Sequence, residues 1–416
     1  MSSDFQNTFI AKEKLYGANN YSPLPVVLEK GEGAYLWDVD GNKYLDLMSA
    51  YSAVSHGHSH PILVKTLQEQ AEKLAIASRA LYSEPFAAFL EKIINITGFE
   101  SILTMNTGAE AVETAIKAAR RWGYFSKDID KDKAEIIVAN GNFHGRTTTI
   151  VGFSSEQSYK KGFGPFSGGF VEASYCGHEC ECKSSCEQSI ASFQAMINEN
   201  TCAILVEPIQ GEGGIIVPKE GWLKQLRDLC DQNNILLILD EIQSGLGRTG
   251  KLFAYEHENI RPDGLIIGKA LGGGLLPVSA FLSSNEIMDH FQPGSHGSTF
   301  GGNPLAAKVA TKALELLYED NLIENSAELG AFFKNELTAI QHPLIKQVRG
   351  KGLWIGVELY SSEVSAKDIC KKLIKKGVLA KETHETVIRF APPLMITKEQ
   401  IEWALIQIRE VFKSCS

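Results

Sequence analysis

LLILDEIQSGLGRTG (Leu236–Gly250) and PDGLIIGKALGGGLLPVSA (Pro262–Ala280) decide the fold. The run Ile235 to Leu239 is apolar, mostly branched and too short for a helix, so it reads as a strand buried on both faces of a parallel sheet. Asp240 and Glu241 end it, and a carboxylate at the C-terminal edge of such a sheet stands where α/β folds bind ligands. Leu265 to Ile267 repeats the pattern, followed by Gly268 and Lys269. A free lysine amine, with a pKa of ~10.4, is a poor nucleophile at neutral pH. Held as a Schiff base it becomes activated and exchangeable. A carboxylate nearby can keep a ring nitrogen protonated, so that the ring accepts the electrons of a carbanion. Singly, Asp240 would read as a helix cap and Lys269 as a solvated lysine. As a pair past two strand ends they are what pyridoxal 5'-phosphate chemistry requires.

Outward from this pair, helical patterns alternate with short apolar strands from about Ser52 to Gly301, which predicts βαβ units and a mostly parallel sheet. WDVDGNKYLDL, around Asp40 and Gly41, reads as a hairpin in an N-terminal arm. Asn303 to Gln341 is helix-rich, and VRGKGLWIGVEL opens a strand into a smaller α+β portion. The expected organisation is an arm over 1–50 packing with the small domain, a large domain over 51–302 and a small domain over 303–416. NTGAEAVETAIKAARR reads as a turn into an amphipathic helix, with the backbone N–H groups of Thr107, Gly108 and Ala109 at its start as a phosphate site.

The 416 residues suffice for two domains with a large core. A net charge of −9, from 41 basic and 50 acidic residues without long like-charge runs, argues against a nucleic-acid partner. No apolar run approaches the ~20 residues of a membrane span. The first residues lack a signal-peptide core and the arginine-rich character of a transit peptide. The expected location is the cytoplasm.

YGANNYSPLPVVL, SAYSAVSHGHSHP, MNTGAEAVETAIKAARRWGY, NFHGRT, VEPIQGEGG, GSTFGGNPLA, VRGKGL and IRFAPPL occur in order from about Tyr16 to Leu394. Together with the lysine region they resemble the class III, fold type I aminotransferases, and among these the ornithine aminotransferases. The resemblance implies an α/β fold with a large, mostly parallel domain and a smaller α+β domain. It implies pyridoxal 5'-phosphate on Lys269, Asp240 at the ring nitrogen, Phe143 stacked on the ring and Gln243 near its phenolic oxygen. Thr299 would complete the phosphate site from the neighbouring subunit of a homodimer. Tyr21 and Arg146 would grip the α-amino and α-carboxylate groups of L-ornithine, with Tyr51 beside them. Arg389 would bind the α-carboxylate of 2-oxoglutarate, and Glu212 would cover it during the ornithine half-reaction. The bidentate fork of arginine suits a carboxylate. Without these motifs each tyrosine would be a core aromatic, and Glu212 with Arg389 an ordinary ion pair contributing under about 1 kcal/mol. Glu207 reads as a strand terminus without a catalytic role. The implied reaction gives glutamate 5-semialdehyde and glutamate, in arginine and proline metabolism.

Two signals are rejected. GLGRTGKL nearly spells a phosphate-binding loop, but Leu252 stands where Ser or Thr is required. His56, His58 and His60 alternate like ligands, but Gly57 and Pro61 make the segment a turn, so no metal is expected there. His144 departs from the tryptophan of some ornithine enzymes. Among eight cysteines, Cys202, Cys230, Cys370 and Cys415 suit buried reduced thiols. Cys176, Cys180, Cys182 and Cys186 cluster with His178 in an insertion over 176–186, read first as a reduced surface loop, otherwise as a metal site or a redox-sensitive loop. The alternatives are an acetylornithine or 4-aminobutyrate aminotransferase, an isomerase or racemase using the same cofactor, and a binding or sensor protein built around the Cys/His loop.

Overall fold

The computed structural model describes residues 3–177, 186–360 and 364–415. At its centre is a seven-stranded sheet in the order Ser101–Met105, Ser279–Ser283, Gly264–Ile267, Leu236–Asp240, Thr201–Val206, Glu135–Ala139, Phe170–Ala173. Ser279–Ser283 runs antiparallel to both neighbours, and the other pairings are parallel. The interior strands are buried on both faces, which explains their unbroken apolar runs. Ile136, Val138, Leu205, Ile238 and Ile266 pack on one side against helix Gly108–Phe125, through Ala111, Val112, Ala115 and Ala119. Ile137, Ile204, Leu237, Leu239 and Leu265 face the larger core on the other side.

The arm begins with helix Asp4–Tyr16, which sequence reading did not anticipate, capped by Ser3. WDVDGNKYLDL forms the expected hairpin, Tyr35–Asp38 against Lys43–Asp46. Its second strand pairs in parallel with Val378–Leu379, so residues near the N-terminus share a sheet with residues near the C-terminus. A separate antiparallel sheet orders Ile345–Gly350, Ile355–Leu359, Val387–Phe390 and Lys381–Thr383. Helix Pro304–Glu319, assigned to the C-terminal portion by sequence, packs on helices Pro61–Lys73 and Glu84–Thr97 of the large portion.

The sheet's C-terminal edge collects the chemistry. Asp240 is in register with Ile266, three residues before Lys269 on the neighbouring strand. Met105 opposes Ser279, which brings the turn after Met105 to the same edge.

Candidate active site

Asp240 is buried and bonded on both oxygens. Oδ2 lies 2.7 Å from His144 Nδ1, and Oδ1 accepts from the Ile242 N–H at 3.0 Å. Burial of the His144 ring opposes its charge, yet the bond to Asp240 and the charges of Asp240 and Glu207 hold its pKa above the ordinary value. A proton on Nδ1 therefore points at the carboxylate and fixes its orientation. Lys269 starts a short 3-10 turn at φ 44°, a left-handed backbone that costs a residue with a side chain about 1–2 kcal/mol. Burial lowers its amine pKa, and the charges of Glu212 and Asp240 only partly restore it. The direction favours the neutral, nucleophilic amine.

Thr107 caps helix Gly108–Phe125 in a reciprocal box with Glu110. This alters the expected phosphate cradle, because the Thr107 N–H already donates to Glu110 Oε2 at 2.7 Å. Gly108 and Ala109 occupy the first helical turn, whose N–H groups have no partner inside the helix. A Cβ at position 108 would meet Ile242 Cδ1 at 2.8 Å, so glycine lets the turn lie this close to the end of the Asp240 strand without moving the Ile242 side chain. Ser279 Oγ donates to the Thr107 carbonyl at 2.6 Å and fixes the turn to the sheet. Thr299 lies exposed beside Ser298, whose hydroxyl accepts from Asn106 of this turn at 2.9 Å.

A cavity of about 450 Å³ is lined by Tyr21, Tyr51, Phe143, Arg146, Glu212 and Arg389, bringing together residues far apart in sequence. Arg389 is buried and its Nη1 bonds Glu212 Oε1 at 2.8 Å. Burial alone would raise the Glu212 pKa, but Arg389 holds it below the usual carboxylate range. The Tyr51 ring lies 4.8 Å from the Arg389 guanidinium carbon, and the Tyr51 carbonyl accepts from Gln243 Nε2 at 3.4 Å. Tyr51 belongs to a turn in which Ser49, Ala50, Tyr51 and Ser52 have φ of 40°, 47°, 59° and 72°. Four successive side-chain-bearing residues in left-handed backbone are held only where the surroundings over-determine them. Across the cavity, the Arg146 guanidinium carbon lies 4.1 Å from the Tyr159 ring centre and 5.6 Å from that of Phe143.

A family profile described as Aminotransferase class-III matches residues 16–412. The chain belongs to the class-III aminotransferases. It is 54% identical over 398 residues to ornithine aminotransferase 2 of Staphylococcus saprophyticus, covering 96% of this chain and 97% of the relative. The ornithine aminotransferase of Toxoplasma gondii, solved with pyridoxal phosphate partly occupying its active site, superimposes with a TM-score of 0.94 at 41% identity, over 98% of this chain and 94% of that one. An acetylornithine aminotransferase from Elizabethkingia anophelis gives 0.87 at 44% identity, over 98% and 99%.

As a class-III aminotransferase the chain is a pyridoxal-phosphate-dependent transaminase with the fold type I architecture. The side chains present fit that cofactor: an amine held toward neutrality, a buried carboxylate with an imidazole behind it, and a helix start at one sheet edge.

Sequence reasoning missed several residues of this aminotransferase. Tyr159 and His384 line the cavity, and no local pattern marks either one. His144 was noted as a departure but not as the partner of Asp240. Glu207, read as a strand terminus, accepts from the Phe143 N–H at 3.0 Å and the Gly211 N–H at 3.1 Å, and so braces two segments of the site.

The rejected signals have other uses. His56 Nε2 bonds the Ala313 carbonyl at 2.8 Å, His58 bonds Asp46 and His60 bonds Asp320. Three different partners explain why these imidazoles do not converge. Reading the cysteine-rich insertion as wholly reduced is corrected at its ends: Cys176 and Cys186 form a disulfide, both buried, with Cα atoms 4.8 Å apart. That separation lies within disulfide range. His178, Cys180 and Cys182 fall outside the described residues. Cys202, Cys230, Cys370 and Cys415 are free thiols. No helix among the described residues is long and apolar enough to cross a membrane.

Proposed function

We propose that this chain is an ornithine δ-aminotransferase, passing the δ-amino group of L-ornithine to 2-oxoglutarate to yield glutamate 5-semialdehyde and glutamate. The observation that carries the reading is the pair of buried Arg389 with half-buried Glu212 beneath Tyr51, on the cavity wall shared with Tyr21 and Arg146. Two amino-acid substrates with different distal groups must use one site. A carboxylate that covers an arginine in one half-reaction and releases it in the other lets them do so.

Pyridoxal phosphate, when bound, supplies a carbonyl for the amine and a ring that accepts the electrons left on the substrate carbon. Lys269 Nζ would anchor it and, once the ornithine amine has taken its place and freed it, would move a proton off the δ-carbon of ornithine. Asp240, oriented by His144, would keep the ring nitrogen protonated. The Gly108 and Ala109 N–H groups would hold the phosphate, Phe143 would cover the ring and Gln243 would serve the phenolic oxygen. Arg146 takes the α-carboxylate of ornithine and Tyr21 its α-amine. Arg389 takes the α-carboxylate of 2-oxoglutarate. In this reading the enzyme is a cytoplasmic homodimer, with Thr299 of one subunit closing the phosphate site of the other, and an arm, a large and a small domain divided near residues 50 and 302.

The test mixes the holoenzyme, without oxo acid, with L-ornithine, N-acetylornithine or 4-aminobutyrate. Ornithine alone should change the cofactor's visible absorbance and release semialdehyde. A response confined to N-acetylornithine would favour the activity named for the Elizabethkingia relative, and turnover without any oxo acid would sink transamination.

A further inference from the structure

Arg248 lies in the GLGRTG loop that follows the Asp240 strand, and none of its side chain reaches solvent. Among the described residues no carboxylate lies in hydrogen-bond range of its guanidinium. Nη1 donates to the carbonyls of Leu353 at 2.9 Å and Pro392 at 2.6 Å, and Nη2 to the hydroxyls of Ser49 at 3.4 Å and Ser55 at 3.2 Å. Burying a charge against neutral oxygens alone is costly, and it draws the guanidinium pKa down to about 9, with Asp46 opposing the drop. An aliphatic side chain would fill the space without that cost, so the fork must serve the geometry of what it holds.

What it holds is the support of the cavity wall. Ser49 and Ser55 bracket the left-handed turn that carries Tyr51. Pro392 lies three residues beyond Arg389, just past strand Val387–Phe390. The two segments are also joined by the Ala391 N–H to the Leu47 carbonyl at 2.8 Å and the Leu394 N–H to the Ser55 carbonyl at 2.7 Å. Between these bonds Ser49 Oγ donates to the Ala391 carbonyl at 2.5 Å. Arg248 fills the middle of this seam, and it is contributed by the loop that leaves the Asp240 strand.

We propose that Arg248 is a positioning residue for substrate, fixing the Tyr51 turn against residues 391–392 so that Tyr51 stays over Arg389 and Arg389 stays on Glu212. The inference rests on reading Tyr51, Glu212 and Arg389 as substrate-handling residues. An ammonium cannot reach four oxygens on two sides, so R248K keeps the charge and removes the fork.

The experiment compares wild-type and R248K holoenzyme by steady-state kinetics, by calorimetric titration with glutarate, a dicarboxylate without the reacting carbonyl, by the cofactor's visible spectrum and by thermal unfolding. The expected result is about a tenfold rise in KM for 2-oxoglutarate and a matching loss of glutarate affinity, with kcat within about threefold and the spectrum unchanged. A lower Tm with unchanged KM and glutarate affinity would overturn the proposal and leave Arg248 a purely structural residue. A fall in kcat with unchanged affinities would equally overturn it. If R248K does not fold, Ser49→Ala and Ser55→Ala each remove one acceptor of the fork and should give smaller shifts of the same kind; unchanged affinities in both would overturn the proposal. Failure of the wild type to accept ornithine would count against the functional reading alone, since glutarate binding still reports on Arg248.

Discussion

Asp240 ends one strand and Lys269 stands two residues past the end of its parallel neighbour, whereas Tyr51 and Arg389 come from near opposite ends of the chain and meet across a buried seam. The sheet edge is a place the fold makes anyway, and a residue set there needs only the strand register to find its neighbour. The cavity wall needs a strained turn, a buried fork and a bridging serine to hold two side chains 4.8 Å apart. In the function proposed above, the chemistry rests on the first arrangement and the choice of substrate on the second. A wall assembled from a turn, a loop and a strand of another sheet can be re-aimed without disturbing the central strands.

The contrast predicts separable losses. Lys269→Ala should lower kcat by about 10,000-fold and Asp240→Asn by about 100- to 1,000-fold, each read in single turnovers of cofactor-loaded protein. If either spared kcat and raised only KM, the sheet edge would not be the reacting floor. Glu212→Ala should act on the wall alone: Arg389, uncovered, repels the amine and welcomes the oxo acid, so the ratio of kcat/KM for 2-oxoglutarate to that for ornithine should rise about tenfold. Equal changes in both half-reactions would erase the distinction drawn here.

The smallest effect lies outside both regions. His56 carries its hydrogen on Nε2 toward the Ala313 carbonyl, and burial lowers its pKa to about 4. Between about 4 and the unfolded value of ~6.5 the folded protein binds fewer protons than the unfolded chain. Stability therefore rises with pH across this window and is lost as pH falls from 6.5 to 4. His56→Gln should make unfolding midpoints less steep in that range, though not flat, because burial also takes His257 to about 4. An unchanged slope would mean that His56 does not titrate with unfolding.

What could be read from sequence follows the same line. Leu236–Asp240 and Gly264–Ile267 are legible because burial on both faces leaves only apolar residues until the strand ends, and the polar residue after the run marks that end. The helix after Thr107 is legible because a Thr and a Glu three residues apart satisfy each other's backbone. The direction of Ser279–Ser283 is not legible, since an antiparallel strand at this place has the same apolar content as a parallel one. Ser49 to Ser52 contain no glycine, so nothing local announces left-handed backbone; the conformation is imposed by contacts with residues 391–394 and Arg248. Arg248 itself sits in a stretch whose loudest resemblance, to a phosphate-binding loop, is misleading. The cavity residues Tyr21, Tyr51, Arg146, Glu212 and Arg389 are legible only through likeness to a family, because no spacing rule connects residues that only the folded chain brings together.

The left-handed turn also limits how the enzyme can be redesigned. Any library aimed at a new amine donor will include position 51, and there the backbone filters variants before chemistry does. Valine, isoleucine and threonine are disfavoured at 49 through 52 by the crowding of a branched Cβ at positive φ, while glycine and asparagine are admitted regardless of what they do for the substrate. Hits and failures from such a screen would sort by Cβ shape, and a designer who scored them by polarity alone would draw the wrong map of the pocket.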